Sequence, residues 1–273
     1  GTAFAGTVAK EDRLWIAGHD TPVRVRGIHA NNADSETGQA GDRLALNLAG
    51  LDKDDIVRGD WLVADPALGL FRKLDIRLHV VADARRPLRH WTPVHVHLGA
   101  RNVTGRVAIL GADSAAAGSS VLAQLVLDAP VGACVRDRFV IRDQSAQVTL
   151  GGGHVVDLHP PRRGRAKPER MDLLTALDTA DPVAAFAGAL ERSPTGISIV
   201  DFAAARNLTK TEMSAALEST AAVVTGDDAT ALALSTAIWA ARQGELLTAL
   251  DQFHTRYPDR LGPAAAQLRK SLG

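Results

Sequence analysis

His95 and His97 stand two residues apart, so any strand that carries them places both imidazoles on one face. A zinc site needs a third and fourth ligand at recognisable spacing, and the nearby His79 and His90 do not supply it. The expectation is a polar strand face with no metal. Gly151-Gly152-Gly153-His154 is the one run that suggests a phosphate loop. It lacks the G-x-x-x-x-G-K-[ST] spacing, and the strand-like Val155–Leu158 follows it, leaving no helix N-terminus to receive phosphate. Close approach of backbone to some neighbour is the better account of three consecutive glycines. No Asn-Lys-x-Asp occurs, and Asp259-x-x-Gly262 stands alone near the C-terminus. With no catalytic constellation, no catalytic residue is named.

Charge gathers at one place. Pro160-Pro161-Arg162-Arg163-Gly164-Arg165-Ala166-Lys167-Pro168 opens a stretch with five basic residues between Arg162 and Arg170, against the single acid Glu169. Prolines and glycine keep it irregular, so Arg162, Arg163, Arg165 and Lys167 are expected to face water and to be able to grip RNA phosphates. A solvated interdomain linker is the competing account.

The elements that would position these groups fall into two series. Up to about residue 160 the chain is a succession of short β-type runs. The first are Leu14–Ile16, Val23–Ile28, Leu44–Leu48 and Trp61–Val63. Leu74–Val81, Val94–Leu98, Val103–Leu110, Val121–Leu127, Phe139–Arg142 and Val155–Leu158 follow. Valines alternate with arginines at 23–26 and with histidines at 94–97, and Gly, Asp and Pro punctuate the runs; this spacing predicts barrels or sandwiches. Asp65–Gly69 is the expected seam. After Pro161 the period becomes helical, with helices expected at 169–180, 182–191, 198–206, 209–218 and 235–257. Thr209-x-x-Glu212 is a capping box, and Ser198-x-x-Asp201 a weaker one. The short Asn207-Leu208 connection is consistent with a helix-turn-helix, and residues 221–225 and 231–234 read as a small hairpin, which together suggest a winged helix.

Across 273 residues, Lys plus Arg (31) balances Asp plus Glu (31), so no global charge announces a partner. The hydrophobic and charged fractions, 46% and 23%, exclude wholesale disorder and a membrane bundle. Cys134, alone, excludes an intramolecular disulfide and a cysteine zinc site, and it points to a reducing, cytoplasmic setting. A start at Gly1 without a signal peptide suggests a portion of something longer.

Ala40-Gly41-Asp42-Arg43-Leu44 through Gly50, followed by Arg58-Gly59-Asp60-Trp61-Leu62, resembles the second domain of translational GTPases. Trp91–His97 with Asn102–Val107, and Asp137–Asp143 with Thr149–Val156, resemble the third domain of elongation factor Tu. Because the chain continues past Pro160-Pro161 into winged-helix sequence, the whole resembles the bacterial selenocysteine-specific elongation factors. The resemblance implies a mainly-β-then-α fold of two Tu-like β-barrels and a winged helix. Its expected divisions are a first barrel over 1–66, a second over 70–160 and a basic linker over 161–169. A winged helix over 170–261 and the start of a further helical segment over 262–273 complete it. It further implies that GTP and Mg2+ belong to a GTPase domain outside these residues, and that the messenger hairpin is bound by winged helices also outside them. The implied partners are selenocysteinyl-tRNA and the ribosome, with a monomeric state and no membrane.

By the same resemblance, Arg43 contributes to binding the selenocysteinyl group. A selenol ionises at neutral pH, and a permanently charged guanidinium is suited to prefer it over serine's hydroxyl. Arg142, Gly151 and Gly152 match positions where the family's third domain lies against the tRNA stem. The alternatives are another Tu-like factor, an initiation-factor gamma subunit, and a DNA-binding regulator using Ser198–Glu218. Against the last, the expected recognition helix carries one Lys and two Glu.

Overall fold

The computed structural model describes residues 1–51, 55–66, 68–228, 230–266 and 268. They form two compact units, residues 1–174 with 204–207, and residues 175–203 with 208 onward. Part of the helical segment expected over 262–273 lies outside the described residues.

The first unit begins with β1 (Thr7–Ala9), β2 (Arg13–Ile16), β3 (Pro22–Ala30), β4 (Ala33–Ser35), β5 (Thr37–Gln39), β6 (Leu44–Ala49) and β7 (Leu62–Val63). Strands β4-β3-β2-β7 pair in that order, β6 also pairs with β3, and β1 and β5 make a separate ribbon. The alternation in β3 is realised, since Val23 and Val25 are fully buried. A register shift between Val25 and Gly27 then moves the pleat by one residue and keeps Ile28 inside with them. These residues pack with Leu14 and Leu44 into a small core. The N-terminal segment joins this sheet as well, with Thr2 bridging Arg43 and the Leu44 N–H donating to the Gly1 carbonyl at 2.9 Å.

The second β-region does close. It contains β8 (Leu70–Val80), β9 (Leu88–Arg89), β10 (Thr92–Leu98), β11 (Arg101–Ile109), β12 (Ser114–Ala115), β13 (Ser120–Gly132), β14 (Arg138–Arg142) and β15 (Thr149–Asp157). Six of these run β10-β11-β13-β8-β15-β14 and back to β10, every pair antiparallel. Leu74, Ile76, Leu78 and Val80 on β8, Val94, Val96 and Leu98 on β10, and Phe139 and Ile141 on β14 fill the interior. Closure removes the unpaired edges that an open sheet exposes.

Helix α1 (Pro168–Leu177) follows. The second unit contains α2 (Pro182–Arg192), β16 (Ile197–Ser198), α4 (Lys210–Thr220), β17 (Val223–Thr225), β18 (Leu232–Leu234) and α5 (Thr236–Arg256), with most of α3 (Ile199–Arg206). The Asp181 carboxylate caps α2, accepting from the Val183 N–H at 3.0 Å. The reciprocal box at α4 is present, Thr209 Oγ1 accepting from Glu212 N–H at 3.2 Å and Glu212 Oε2 from Thr209 N–H at 2.7 Å. Phe186 and Phe202 meet edge to face at 5.0 Å, and β16-β18-β17 form a three-stranded sheet. Among the described residues no helix is long and apolar enough to cross a membrane.

Candidate functional site

Arg43 sits one residue before β6, beside the core residue Leu44, on a segment bridged to Thr2 and held by the Asn31 side chain. Asn31 and Asn32, both at positive φ (51° and 72°), turn β3 into β4, a conformation that asparagine tolerates better than most residues. From that turn the Asn31 side chain reaches back. Its Oδ1 accepts from the Arg43 N–H at 3.1 Å, its Nδ2 donates to Asp42 Oδ1 at 2.9 Å, and its own N–H donates to the Arg43 carbonyl at 2.9 Å. The Gln39 N–H donates to the other Asp42 oxygen at 2.9 Å, and these bonds hold the Asp42 carboxyl below the usual carboxylate range. Arg43 itself is exposed, and its guanidinium has no partner among the described residues.

The Arg58–Trp61 turn of this region does something different. Gly59 is at φ +96°, and a Cβ there would lie 3.0 Å from the Arg101 backbone. Arg101 Nη1 donates to the Arg58 carbonyl at 3.2 Å and pairs with Asp60 at 3.5 Å, while the Trp61 indole lies against Gly132. The Arg58–Trp61 turn therefore docks the open sheet on the closed barrel. A hollow of about 550 Å³ beside it is lined by Arg58, His97, Arg101 and Asn102. His97 Nε2 is buried without a partner, and burial, with the charges of Arg142 and His95 added, holds the ring's pKa below the ordinary histidine value.

Arg142 ends β14 opposite His95, half-buried on the barrel wall. Gly151 and Gly152 do not join it in a phosphate site. Gly151 is buried, and a Cβ on it would lie 2.5 Å from the His79 carbonyl oxygen. On Gly152 a Cβ would lie 2.8 Å from that of Phe139, and on Gly153 1.8 Å from that of Arg77. The glycines are required by the neighbouring strands β8 and β14, which approach where a Cβ would stand.

Of the linker cations, Arg162, Arg163 and Lys167 are exposed. Arg165 departs from the expectation of a solvated charge. Its guanidinium lies 5.4 Å from the Trp91 ring centroid, and Arg106 lies over the same ring at 5.9 Å. Trp91 is 41% exposed at φ +69°, a strained conformation for a bulky residue, with His90 stacked beside it at 6.1 Å. This aromatic–arginine cluster was missed in sequence, where only the tripeptide Trp91-Thr92-Pro93 marked it.

Behind the linker a buried network holds α1 to the barrel. Asp75 on β8 and Asp157 on β15 are cross-strand partners, two like charges side by side. Arg170 Nη2 donates to both, at 2.5 Å to Asp75, and Gln124 Nε2 donates to Asp75 at 2.8 Å. Asp75 is fully buried, and desolvation pushes its carboxyl above the ordinary range despite these partners.

Two domain families match this chain. Residues 1–63 match elongation factor Tu domain 2, and residues 75–162 match the β-barrel domain of the selenocysteine-specific elongation factor. The selenocysteine-specific elongation factor of Escherichia coli K12 is 40% identical over 99% of this chain. The chain belongs to the selenocysteine-specific elongation factor family. Its counterpart from Haemophilus influenzae is 30% identical over 98% of the chain. The chain spans about two fifths of each relative, 41% and 42% of their lengths. The crystal structure of translation elongation factor SelB from Methanococcus maripaludis, in its apo form, superposes with a TM-score of 0.50. At 21% identity, over 57% of this chain and 38% of that one, it supports the fold.

Proposed function

We propose that these residues form the tRNA-carrying portion of a GTP-dependent elongation factor that delivers selenocysteinyl-tRNA to the ribosome at UGA codons. The observation that carries the reading is Arg43. In a chain 40% identical to a selenocysteine-specific factor, a permanently charged, unpartnered guanidinium is presented on an arm pinned by Asn31 and Asp42. A selenolate offers it a charge-assisted hydrogen bond that serine's neutral hydroxyl does not. The tRNA body would lie on the barrel wall carrying Arg142 and the Trp91–Arg106–Arg165 cluster. RNA duplexes are read mainly through backbone and shape, so a few cations and an aromatic suffice.

GTP and Mg2+ have no seat in this reading of the described residues. The glycine run lies inside a β-ladder rather than at a helix N-terminus. Hydrolysis and messenger recognition are assigned to parts of the factor beyond this portion, in the cytoplasm. The second unit is read as a winged helix built on α2, α3 and α4 with its three-stranded sheet. Met213 and Ala216 of α4 are buried, which favours packing over groove reading for that helix.

The test is Arg43→Ala in the factor joined to its GTPase portion. Selenocysteinyl-tRNA binding should fall about ten- to a hundredfold, the equivalent of roughly 1.5–3 kcal/mol for a charged hydrogen bond, while seryl-tRNA binding is nearly unchanged. Arg43→Lys should restore part of it. Equal loss for both tRNAs would assign Arg43 to the barrel or the tRNA backbone instead.

A further inference from the structure

Between the basic linker and the outer wall of the closed barrel lies a hollow of about 140 Å³, lined by Lys73, Gln124, Arg162, Arg163 and Arg165 among others. It is well below the roughly 300–1,000 Å³ of small-molecule sites, so it suits a single oxyanion better than a nucleotide or a cofactor. Its wall is built by strand alternation. Leu74 and Ile76 point into the barrel, which turns Lys73 and Asp75 outward, and Gln124 is the cross-strand partner of Asp75 on β13.

No acid lines the hollow. The nearest carboxylates, Asp75 and Asp157, lie behind Gln124 and are taken up by Arg170. Lys73, Arg162 and Arg163 have no ion pair among the described residues, so three cations border one small space with nothing to balance them. Gln124 is 2% exposed, and its amide is oriented by the bond to Asp75. A primary amide has two N–H donors, and the second has no partner among the described residues. An immobile donor beside three unbalanced cations is the complement of a phosphate oxygen.

We propose that this hollow seats one backbone phosphate of an RNA. Arg165 lines it and also lies over Trp91, joining the hollow to the exposed aromatic–arginine cluster. A free anion would need no such neighbour, whereas RNA surfaces combine backbone cations with aromatic stacking. The inference rests on the reading of this chain as a tRNA-carrying portion, and adds where on the barrel wall the tRNA backbone is gripped. In it Arg162 and Arg163 close over the phosphate from the linker while Lys73 and Gln124 meet it from the barrel.

The experiment measures binding of a fluorescent selenocysteine-tRNA transcript to the 273-residue chain across a salt series. It compares wild type, Lys73→Gln, Arg163→Gln and the double variant, all surface changes whose folding is checked by melting curves. Lys73→Gln should reduce the slope of log affinity against log salt by about 0.7–0.9, as loss of one phosphate contact does. Because both residues would hold one phosphate, the double variant should lose clearly less than the sum of the single losses. An unchanged slope with Lys73→Gln, or additive losses, overturns the seat while leaving tRNA binding intact. Absence of any tRNA binding at low salt overturns the wider reading with it. Inorganic phosphate should compete only weakly; tight phosphate binding that RNA does not displace would make this a small-anion site instead.

Discussion

Residues 70–158 and residues 1–63 are both built from short antiparallel strands; among the described residues the first stretch forms one closed ladder, and the second a five-stranded sheet with a separate two-stranded ribbon. The closed barrel surrounds a continuous interior of buried aliphatic side chains, and its outer wall carries a buried ion network. Among the described residues the five-stranded sheet packs Leu14, Val23, Val25, Ile28 and Leu44 into a small core. The arm carrying Arg43 is held by a backbone bridge to Thr2 and by side-chain hydrogen bonds at Asn31 and Asp42, and the sheet's second turn leans on the barrel through Asp60 and Arg101. The difference separates a platform from what it carries. In the proposed reading, the aminoacyl group would meet the region that can adjust, and the RNA backbone the region that cannot.

The largest expected effect comes from breaking the platform's network. Arg170→Leu leaves the Asp75 and Asp157 carboxylates side by side with no cation. Removing one partner of a buried ion pair costs about 3–5 kcal/mol. Asp75 already has a raised pKa from burial, and loss of Arg170 raises it further. A carboxyl that binds its proton more tightly folded than unfolded stabilises the fold when protonated. The variant's deficit should therefore be smallest below about pH 4, the unfolded aspartate value, and grow as pH rises through the higher folded-state value. Urea unfolding at pH 4 and pH 7.5 checks this. A deficit independent of pH would mean that Arg170 acts by packing alone.

A pair of glycine substitutions tests the contrast directly. In Gly153→Ala the new Cβ would lie 1.8 Å from the Arg77 carbonyl oxygen, within the closed ladder, where backbone must move. In Gly38→Ala it would meet first the Leu44 side chain, its methyls at 2.6 Å, and a side chain can turn away. Overpacking costs about 1–3 kcal/mol, and Gly153→Ala should reach or exceed the top of that range while Gly38→Ala stays near the bottom. Equal losses in thermal melts would show that the open sheet is as unyielding as the barrel.

The same contrast explains what could be read from the sequence. Alternation placed most of the strands, because a half-buried strand writes its inward face into every second residue, as at Val94, Val96 and Leu98. Thr209 and Glu212 announced the start of α4 through a bond between residues three apart. The turn before Arg43 was legible because its motif is local. What could not be read depends on partners distant in sequence. Asp75 sits in a run of alternating residues, at an outward position where a polar side chain is ordinary; it becomes buried only because Arg170, 95 residues later, folds over it. Gly151 and Gly152 looked open to a ligand because the strands that fill their space lie elsewhere in the chain. Arg165 looked solvated because nothing near it in sequence reveals Trp91.

Cys134 provides the gentlest probe, one that changes no residue. It follows Ala133 of the barrel core, and burial, with Asp137 close by, pushes its thiol up to about 12. The thiolate is the reacting form, so at pH 8 native Cys134 should react with a thiol reagent about three orders of magnitude more slowly than an ordinary cysteine of pKa ~8.5. Labelling then proceeds mainly through opening of the barrel, and its rate follows the open population when reclosing is fast. Gly153→Ala should speed labelling by the factor its stability loss dictates, about tenfold for each 1.4 kcal/mol. Gly38→Ala should leave the rate at the wild-type value, since adjustment of the open sheet need not open the closed ladder. A rate that rises equally in both variants would show that the two regions open together, and the separation of platform from pocket would be lost.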